Sequence, residues 1–205
     1  RPGRMAASFL LAAGLPPEES GLPKEELQLV LAQIERGVNA PLATSAGRFL
    51  DAVAAWLGIC KERTYEGEPA MKLEAFAAKG RALPLEPPLV PSGERLVVDT
   101  VALFRELWKL RKKGARPEDL AATAQAALAR GLARIAVGAA QEAGIPMVGI
   151  TGGAAVNFAL SETVREEVER AGLRFLAHRK VPPGDGGLSF GQLLQASWLL
   201  GQARY

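Results

Sequence analysis

Two glycine-rich segments near the C-terminus have the composition of ligand-binding turns. In the first, at 150–157, Gly152 and Gly153 lie between an apolar stretch and a predicted helix. Without Cβ atoms the backbone there can approach a phosphate or a nucleoside closely, and a helix N-terminus favours anions. Asn157, one turn into that helix, carries an amide suited to an adenine edge or a ribose. A tight turn that needs glycine only for its geometry explains the same residues, and the segment lacks a phosphate-loop lysine.

The second segment, at 181–187, places three glycines around one carboxylate, Asp185. Pro182 and Pro183 fix the direction from which the chain approaches it. A carboxylate presented in this way can ligate a divalent metal ion or contact a cation bound to phosphate. The alternative is a structural turn in which Asp185 caps the helix that follows.

Two more acids, Asp51 and Glu74, lie on predicted helices. Each either points to solvent or faces a cleft, where its carboxylate would accept hydrogen bonds from ribose hydroxyls. Taken singly, an acid on an amphipathic helix favours the solvated position. His178 precedes two basic residues and is interpreted as a surface residue, and Cys60 as a small buried hydrophobe. The sequence therefore suggests no catalytic nucleophile paired with a general base.

The elements that must position these residues are first a set of amphipathic helices. Pro, Gly and capping residues predict helices at 5–13, 23–37, 46–58 and 69–80, with Ser45 as an N-cap and Gly80 as a C-cap. Four prolines at 83–93 predict a connector without regular structure. We therefore divide a single lobe, 1–205, into a helical part at 1–82, this connector, and an α/β part at 94–205.

In the α/β part, strands, glycine turns and helices alternate. Short strands are predicted at 95–99, 146–150 and 173–177, and helices at 101–113, 117–143, 152–170 and 190–202. Glu166 and Arg170 are spaced to pair along one of these helices, and all three tryptophans fall on apolar helical faces. This alternation is typical of a layered α/β fold whose strand ends carry ligand loops.

Composition sets the class of protein. With 48% hydrophobic and 23% charged residues and a net charge of +3, the chain is typical of a globular domain and not of disorder or collagen. The basic residues are spread along the chain, so no nucleic-acid partner is expected. A single Cys excludes an internal disulfide and indicates a reducing cytoplasm. No apolar run approaches the roughly 20 residues of a membrane span, so no membrane association is expected.

Four ordered blocks together resemble one family. NAPLATSAGRFLDAVAAWLG at 39–58 is similar to N-x-P-x-T-S-x-G-R-L-F-D-A-V-A-A-L-L-G, and TYEGEPAMKLE at 64–74 is similar to T-Y-E-G-x-A-A-M-x-L-E. Residues 152–157 resemble G-G-V-F-x-N, and residues 181–192 resemble V-P-P-N-D-G-G-L-A-L-G-Q. The pattern is that of the hydrogenase maturation carbamoyltransferases of the HypF type, in the C-terminal lobe of their carbamoyl-transfer domain.

This resemblance implies an actin-like or sugar-kinase-like (ASKHA) fold, in which two α/β lobes enclose ATP or carbamoyl-adenylate. Asp51 and Glu74 would meet the ribose, and Asp185 a metal, iron or zinc, in the complete two-lobe site. Gly152, Gly153 and Asn157 would meet the phosphate and adenine side.

In such enzymes carbamoyl passes from the adenylate to the C-terminal cysteine of a HypE-type maturation protein, on the way to the cyanide ligands of a nickel–iron centre. The catalytic residues stay unassigned, because the family's metal-binding histidines and its adenylate-forming domain lie upstream of the lobe that this chain resembles. The other lobe and domains of the same enzyme are therefore expected partners.

The chain departs from the family pattern at two turns. Ala154, Ala155 and Val156 replace a bulkier run, and Gly184 replaces an Asn before Asp185. Two other functions remain open. One is a lobe of a tRNA threonylcarbamoyladenosine transferase, and the other is a non-catalytic helical interaction module.

Overall fold

The chain folds into eight α-helices and four short strands in the part described by the computed structural model, residues 1–202. The helices are α1 (Pro2–Ala12), α2 (Lys24–Glu35), α3 (Ala46–Trp56), α4 (Glu68–Ala77), α5 (Thr100–Lys112), α6 (Pro117–Glu142), α7 (Phe158–Arg170) and α8 (Leu188–Gln202). The strands are β1 (Leu89–Ser92), β2 (Arg95–Val98), β3 (Met147–Gly149) and β4 (Arg174–Leu176). Short 3-10 turns occupy Pro17–Ser20, Gly153–Val156 and Asp185–Gly187.

Local sequence signals explain where the helices begin. Proline occupies the first turn of α1, α4 and α6, where its missing N–H costs nothing. Ser45 Oγ accepts a hydrogen bond from Arg48 N at 3.4 Å, and Asp99 Oδ1 accepts one from Ala102 N at 2.8 Å. The predicted helices are confirmed, with ends that differ by a few residues.

The strands form two separate two-stranded sheets. β1 and β2 pair antiparallel around Gly93, whose φ is 61°, and β3 and β4 pair in parallel through α7. The prediction that 83–93 carries no regular element is wrong, because Pro91 lies within β1 opposite Leu96. Proline is tolerated there because both strands of a two-stranded sheet are edge strands.

One hydrophobic core joins the helices on both sides of the proline-rich segment. Phe9 stacks on Phe104 at 5.5 Å between ring centroids and meets Phe49 edge-on at 5.7 Å. Buried Leu73, before the segment, and Leu128, after it, belong to the same cluster. The prediction of a helix-rich α/β lobe with little sheet is confirmed.

Three local predictions need correction. Gly80 is not a C-cap, since α4 ends at Ala77 and a Cβ at Gly80 would clash with the backbone of Glu118; its role is close packing. Trp198 is 57% exposed instead of buried in the core. Arg170 pairs with Glu167 and not with Glu166. Within residues 1–202, no helix has both the length and the apolar character required to span a bilayer.

Candidate functional site

The two glycine-rich turns meet in the structure. Gly152 N donates a hydrogen bond to Pro183 O at 2.8 Å, and Thr151 Oγ1 donates a weaker one to the same oxygen at 3.4 Å. Gly152 has a φ of 87°, which favours glycine. Since β3 and β4 are parallel, their C-terminal ends lie at one edge of the sheet, and the loops that follow them come together there. The sequence predicts each turn, but only the fold joins them.

An open groove of about 820 Å³ lies between these turns and α8. Its lining includes Thr151, His178, Gly184, Leu188 and Leu199. His178 is exposed, and its Nε2 lies 3.0 Å from Thr151 Oγ1. The volume is in the range of small-molecule sites. None of the six predicted site residues lines this groove, although Thr151 and Gly184 are the chain neighbours of Gly152 and Asp185.

Asp51 is largely buried, whereas the amphipathic pattern of its helix predicts a solvent-exposed position. Its side chain lies on α3, the residue is only 8% exposed, and its carboxylate has no hydrogen-bond partner among the described residues. Burial raises the pKa of Asp51, while the nearby guanidinium groups of Arg48 and Arg63 oppose this shift. α3 also packs against the Gly153–Val156 turn. The fully buried side-chain atoms that lack a hydrogen-bond partner within residues 1–202 are Trp56 Nε1 and Gln125 Nε2, so the carboxylate of Asp51 keeps some contact with solvent. This accessible acceptor on a largely buried residue makes Asp51 a candidate ligand-binding side chain.

The side chain of Glu74, on α4, forms hydrogen bonds with the backbone of α7. Its Oε1 accepts hydrogen bonds from Phe158 N at 2.7 Å and from Ala159 N at 3.4 Å. These are free N–H groups at the N-terminus of α7, where a negative charge also interacts favourably with the helix dipole. Glu74 therefore ties α4 to the start of α7, directly after the first glycine turn.

Asn157 is the N-cap of α7 and does not lie one turn into it. Its Oδ1 accepts a hydrogen bond from Leu160 N at 2.9 Å, and its Nδ2 donates one to Gln125 Oε1 at 2.8 Å. Asn157 is 8% exposed and Gln125 is 1% exposed, so this pair is buried. Gln125 is not among the residues predicted from the sequence. Its signal was an amide on the otherwise alanine-rich and apolar face of α6, and its partner is 32 residues away.

Glu68 is a second residue that sequence reasoning missed. Its Oε2 accepts hydrogen bonds from Thr64 N at 2.5 Å and Thr64 Oγ1 at 3.0 Å, and its Oε1 pairs with Lys72 Nζ at 2.7 Å. Lys72 and Thr64 lower the pKa of Glu68 to about 2. The buried Glu68 thus holds the Thr-Tyr-Glu-Gly loop and leaves Tyr65 exposed.

Asp185 is exposed at the start of its 3-10 turn, beside the groove. Within residues 1–202, no group of three or more His, Cys, Asp and Glu side chains is close enough to hold a metal ion. Stable metal sites use about three or four protein ligands, so the described residues do not form one by themselves.

Comparison with known proteins defines the class to which this fold and site belong. A family profile described as carbamoyltransferase, Kae1-like domain, second subdomain, matches residues 1–192. The chain therefore belongs to the carbamoyltransferase HypF family, of which it forms the second subdomain of the Kae1-like domain. The family resemblance predicted from the four sequence blocks is confirmed.

Individual relatives agree with this assignment. The chain is 38% identical to the probable carbamoyltransferase HypF of Methanocaldococcus jannaschii, over 82% of this chain and 22% of that protein. It is 37% identical to the carbamoyltransferase HypF of Rhodobacter capsulatus, over 96% of this chain and 25% of that protein. The chain thus spans about a quarter of the length of these relatives.

Two crystal structures have a similar fold. The crystal structure of T. kodakarensis HypF superposes with a TM-score of 0.76 at 42% identity, over 87% of this chain and 23% of that chain. A full-length HypF in a phosphate- and nucleotide-bound form superposes with a TM-score of 0.82 at 29% identity, over 97% of this chain and 26% of that chain.

Proposed function

We propose that this subdomain is the nucleotide-binding half of a HypF-type carbamoyltransferase with an actin-like, two-lobed transfer domain. One observation carries the proposal: the hydrogen bond from Gly152 to Pro183 joins the two glycine turns beside an open groove. A related full-length HypF was solved in a phosphate- and nucleotide-bound form, which supports ATP or carbamoyl-adenylate as the ligand.

The reaction proposed for the whole enzyme is carbamoyl transfer to sulfur. The C-terminal cysteine of a HypE-type maturation protein loses its thiol proton and attacks the carbamoyl carbon of carbamoyl-adenylate. A carbon–sulfur bond forms, the bond from that carbon to the phosphate oxygen breaks, and AMP leaves.

The described residues divide into two roles in this proposal. Gly152 and Gly153 allow the backbone to approach the phosphates, and Asp51 accepts hydrogen bonds from the ribose hydroxyls. Glu74 and Asn157 hold the start of α7 against α4 and α6, so that the turn before it keeps its shape. This gives Glu74 and Asn157 a positioning role in addition to any direct contact with the nucleotide.

We propose that Asp185 supplies one ligand to an iron or zinc ion whose other ligands lie in the first subdomain. The observation behind this is an exposed carboxylate at the groove, with no cluster of three ligands in the described part of the chain. Such an ion would polarise an oxygen of the bound phosphate or carbamoyl group.

Asp51→Asn in the full-length enzyme tests the ribose contact. We expect ATP to bind up to about tenfold more weakly, since a hydrogen bond to a neutral group contributes about 0.5–1.5 kcal/mol. Calorimetric titration measures the affinity, and Glu35→Gln, at an exposed acid on α2, is the matched control. An unchanged affinity together with normal thermal unfolding would exclude Asp51 from the nucleotide site.

A pull-down with the intact enzyme tests the acceptor. Recovery of a HypE-type protein is expected, whereas recovery of tRNA would favour threonylcarbamoyl transfer. Absence of saturable nucleotide binding would favour a non-catalytic helical module. We also propose a cytoplasmic location, because the one cysteine, Cys60, is buried and free.

A further inference from the structure

His178 lies where the loops that follow β3 and β4 meet. β4 ends two residues before His178, and β3 ends two residues before Thr151. Because β3 and β4 are parallel neighbours, both residues lie at the same edge of the sheet, and His178 Nε2 is 3.0 Å from Thr151 Oγ1. Both residues line the groove. The fold therefore places the one histidine of the sequence in the candidate site, whereas the sequence alone indicates a surface residue.

The hydrogen bonds of Thr151 define the state of the imidazole ring of His178. Pro183 O is a carbonyl oxygen and can only accept, so the hydroxyl proton of Thr151 is directed to it, at 3.4 Å. The oxygen of Thr151 then accepts a hydrogen bond from His178 Nε2. In a neutral imidazole the other nitrogen, Nδ1, is left without a proton. Because His178 Nδ1 has no hydrogen-bond partner within residues 1–202, it is available as a proton acceptor.

Charged and titratable groups are rare around this groove. Neither the turn at 150–157 nor α8 contains a charged residue. The loop at 177–187 contains Arg179, Lys180 and Asp185, and none of these three lines the groove. The lining consists otherwise of glycine, proline, threonine, glutamine and apolar side chains. Among the described lining residues, His178 alone has a side chain that exchanges a proton near neutral pH.

The proposed function leaves open which group accepts the proton in the transfer step. It places the phosphate of carbamoyl-adenylate at Gly152, the neighbour of Thr151 in the chain. The carbamoyl group is bonded directly to that phosphate, so the reacting carbon would lie close to Thr151 and His178. The nucleophile that attacks such a carbon is a thiolate and not a thiol. A base at this position would remove the thiol proton as the sulfur approaches.

We propose that His178 is the general base of carbamoyl transfer, an inference that rests on the proposed function. The proton of the acceptor thiol passes to His178 Nδ1 while the sulfur forms a bond with the carbamoyl carbon. The bond from that carbon to the phosphate oxygen breaks, and AMP leaves with the electron pair. His178 is then an imidazolium whose Nε2 still donates to Thr151, and because the residue is exposed it returns the proton to water.

His178→Gln in the full-length enzyme tests this role. The amide can still donate to Thr151 but cannot take up a proton near neutral pH. With carbamoyl-adenylate as donor and a purified HypE-type protein as acceptor, we expect single-turnover transfer to slow at least about 100-fold. ATP affinity, measured by calorimetry, and thermal unfolding should stay unchanged, since His178 is exposed. Lys180→Gln, at an exposed basic residue of the same loop outside the groove lining, is the matched control and should transfer at the original rate.

Chemical rescue separates a base from a residue that only holds the loop. His178→Ala should transfer slowly and regain rate when imidazole is added, and substituted imidazoles of similar size should restore more rate as their basicity rises. A rescue that is independent of basicity would reject the role of base.

Two further outcomes distinguish this inference from the proposed function. Normal ATP binding together with an unimpaired His178→Gln variant would overturn the inference alone. Absence of saturable ATP binding by the original enzyme would reject the proposed function and the inference with it. A loss of ATP affinity that accounts for the whole effect of His178→Gln would make His178 a binding residue and would also overturn the inference.

Discussion

The helical body, α1 to α6, and the C-terminal segment after residue 147 are built differently. In the body, the aromatic cluster of Phe9, Phe49, Trp56 and Phe104 is enclosed by other helices. In the C-terminal segment, α7 and Val148 of β3 contribute buried residues to the core, and α8 has large apolar side chains in solvent. The body has the packing of a stable scaffold, whereas the C-terminal segment has surfaces that need another component.

Polar side chains follow the same division. In and beside the body they have internal partners: Glu68 holds Thr64, and Asn157 is bonded to Gln125. Around the groove, Asp185 and His178 are exposed. Among the largely buried groups of the body, the carboxylate of Asp51, Trp56 Nε1 and Gln125 Nε2 have no hydrogen-bond partner within residues 1–202, and Asp51 is the acid among them. This contrast separates residues that build the scaffold from residues that are free for a ligand.

The largest effect expected is on the body. Phe104→Ala removes a fully buried ring that contacts both Phe9 and Trp56, and should lower the free energy of unfolding by about 3–5 kcal/mol. Urea unfolding of the 205-residue chain, followed by circular dichroism, measures the change. The control, Leu199→Ala on α8, should change it by less than about 0.5 kcal/mol. Equal losses would show that α8 is as well packed as the body and would remove the contrast.

A smaller effect is expected where the two regions join. Asn157→Ala removes the α7 cap and leaves Gln125 Oε1 buried without its donor, so the free energy of unfolding should fall by about 1–3 kcal/mol. Nucleotide affinities of Asn157→Ala and of the original protein therefore have to be compared under conditions in which the same fraction of each protein is folded.

Asn157→Ser separates these two contributions. Serine can still cap α7 but is too short to reach Gln125, so this variant should retain about 1 kcal/mol relative to alanine. Urea unfolding of both variants measures the difference. If both variants were as stable as the original chain, Asn157 would be free of a structural role and would rank with Asp51 as a ligand contact.

Local features of the fold were predictable from the sequence, and contacts between distant residues were not. Ser45 and the prolines of the first helical turns mark helix starts because capping and proline geometry act within four residues. Pro91 misled the prediction, because proline excludes a central strand but not an edge strand. Gly80 was misassigned because its need for close packing arises from Glu118, far along the chain.

The candidate site shows the same limit. The glycine turns, Asp51 and Asn157 were identifiable by residue type, yet the bond between Asn157 and Gln125 depends on how α6 meets α7. The burial of Asp51 likewise depends on packing around α3, and the helical pattern alone favoured a solvated position. Residue types therefore predicted the candidates, and the fold was needed to divide them by role.

A variant of Glu68 tests whether an acidic side chain of the helical body is stabilised by its hydrogen-bond and ion-pair partners. Its folded pKa of about 2 is below the ordinary 4.5, so it contributes stability above pH 4.5 that is lost as the pH falls towards 2. Glu68→Gln should therefore be less stable than the original chain at neutral pH and equal to it near pH 2. Urea unfolding across this range measures the gap, with exposed Glu66→Gln as a control that should show none. A gap of constant size would contradict the assignment.

Asp51 should show the opposite pH dependence, with the smallest effect. Burial raises its folded pKa above the ordinary 3.8, so the uncharged carboxyl suits the folded chain and its ionisation is unfavourable. Below pH 3.8 both states hold the proton and there is no penalty. As the pH rises through the folded pKa, the unfolded chain loses the proton more readily and stability falls.

Asp51→Asn mimics the uncharged form and should avoid this loss. Its stability should equal that of the original chain near pH 3 and exceed it at pH 7, which is the reverse of the result for Glu68→Gln. Urea unfolding of the 205-residue chain at both pH values measures the gap. If Asp51→Asn were instead less stable at pH 7, the carboxylate would have a stabilising partner inside the chain. Asp51 would then join the scaffold acids, and the physical reason for assigning it to a ligand would be lost.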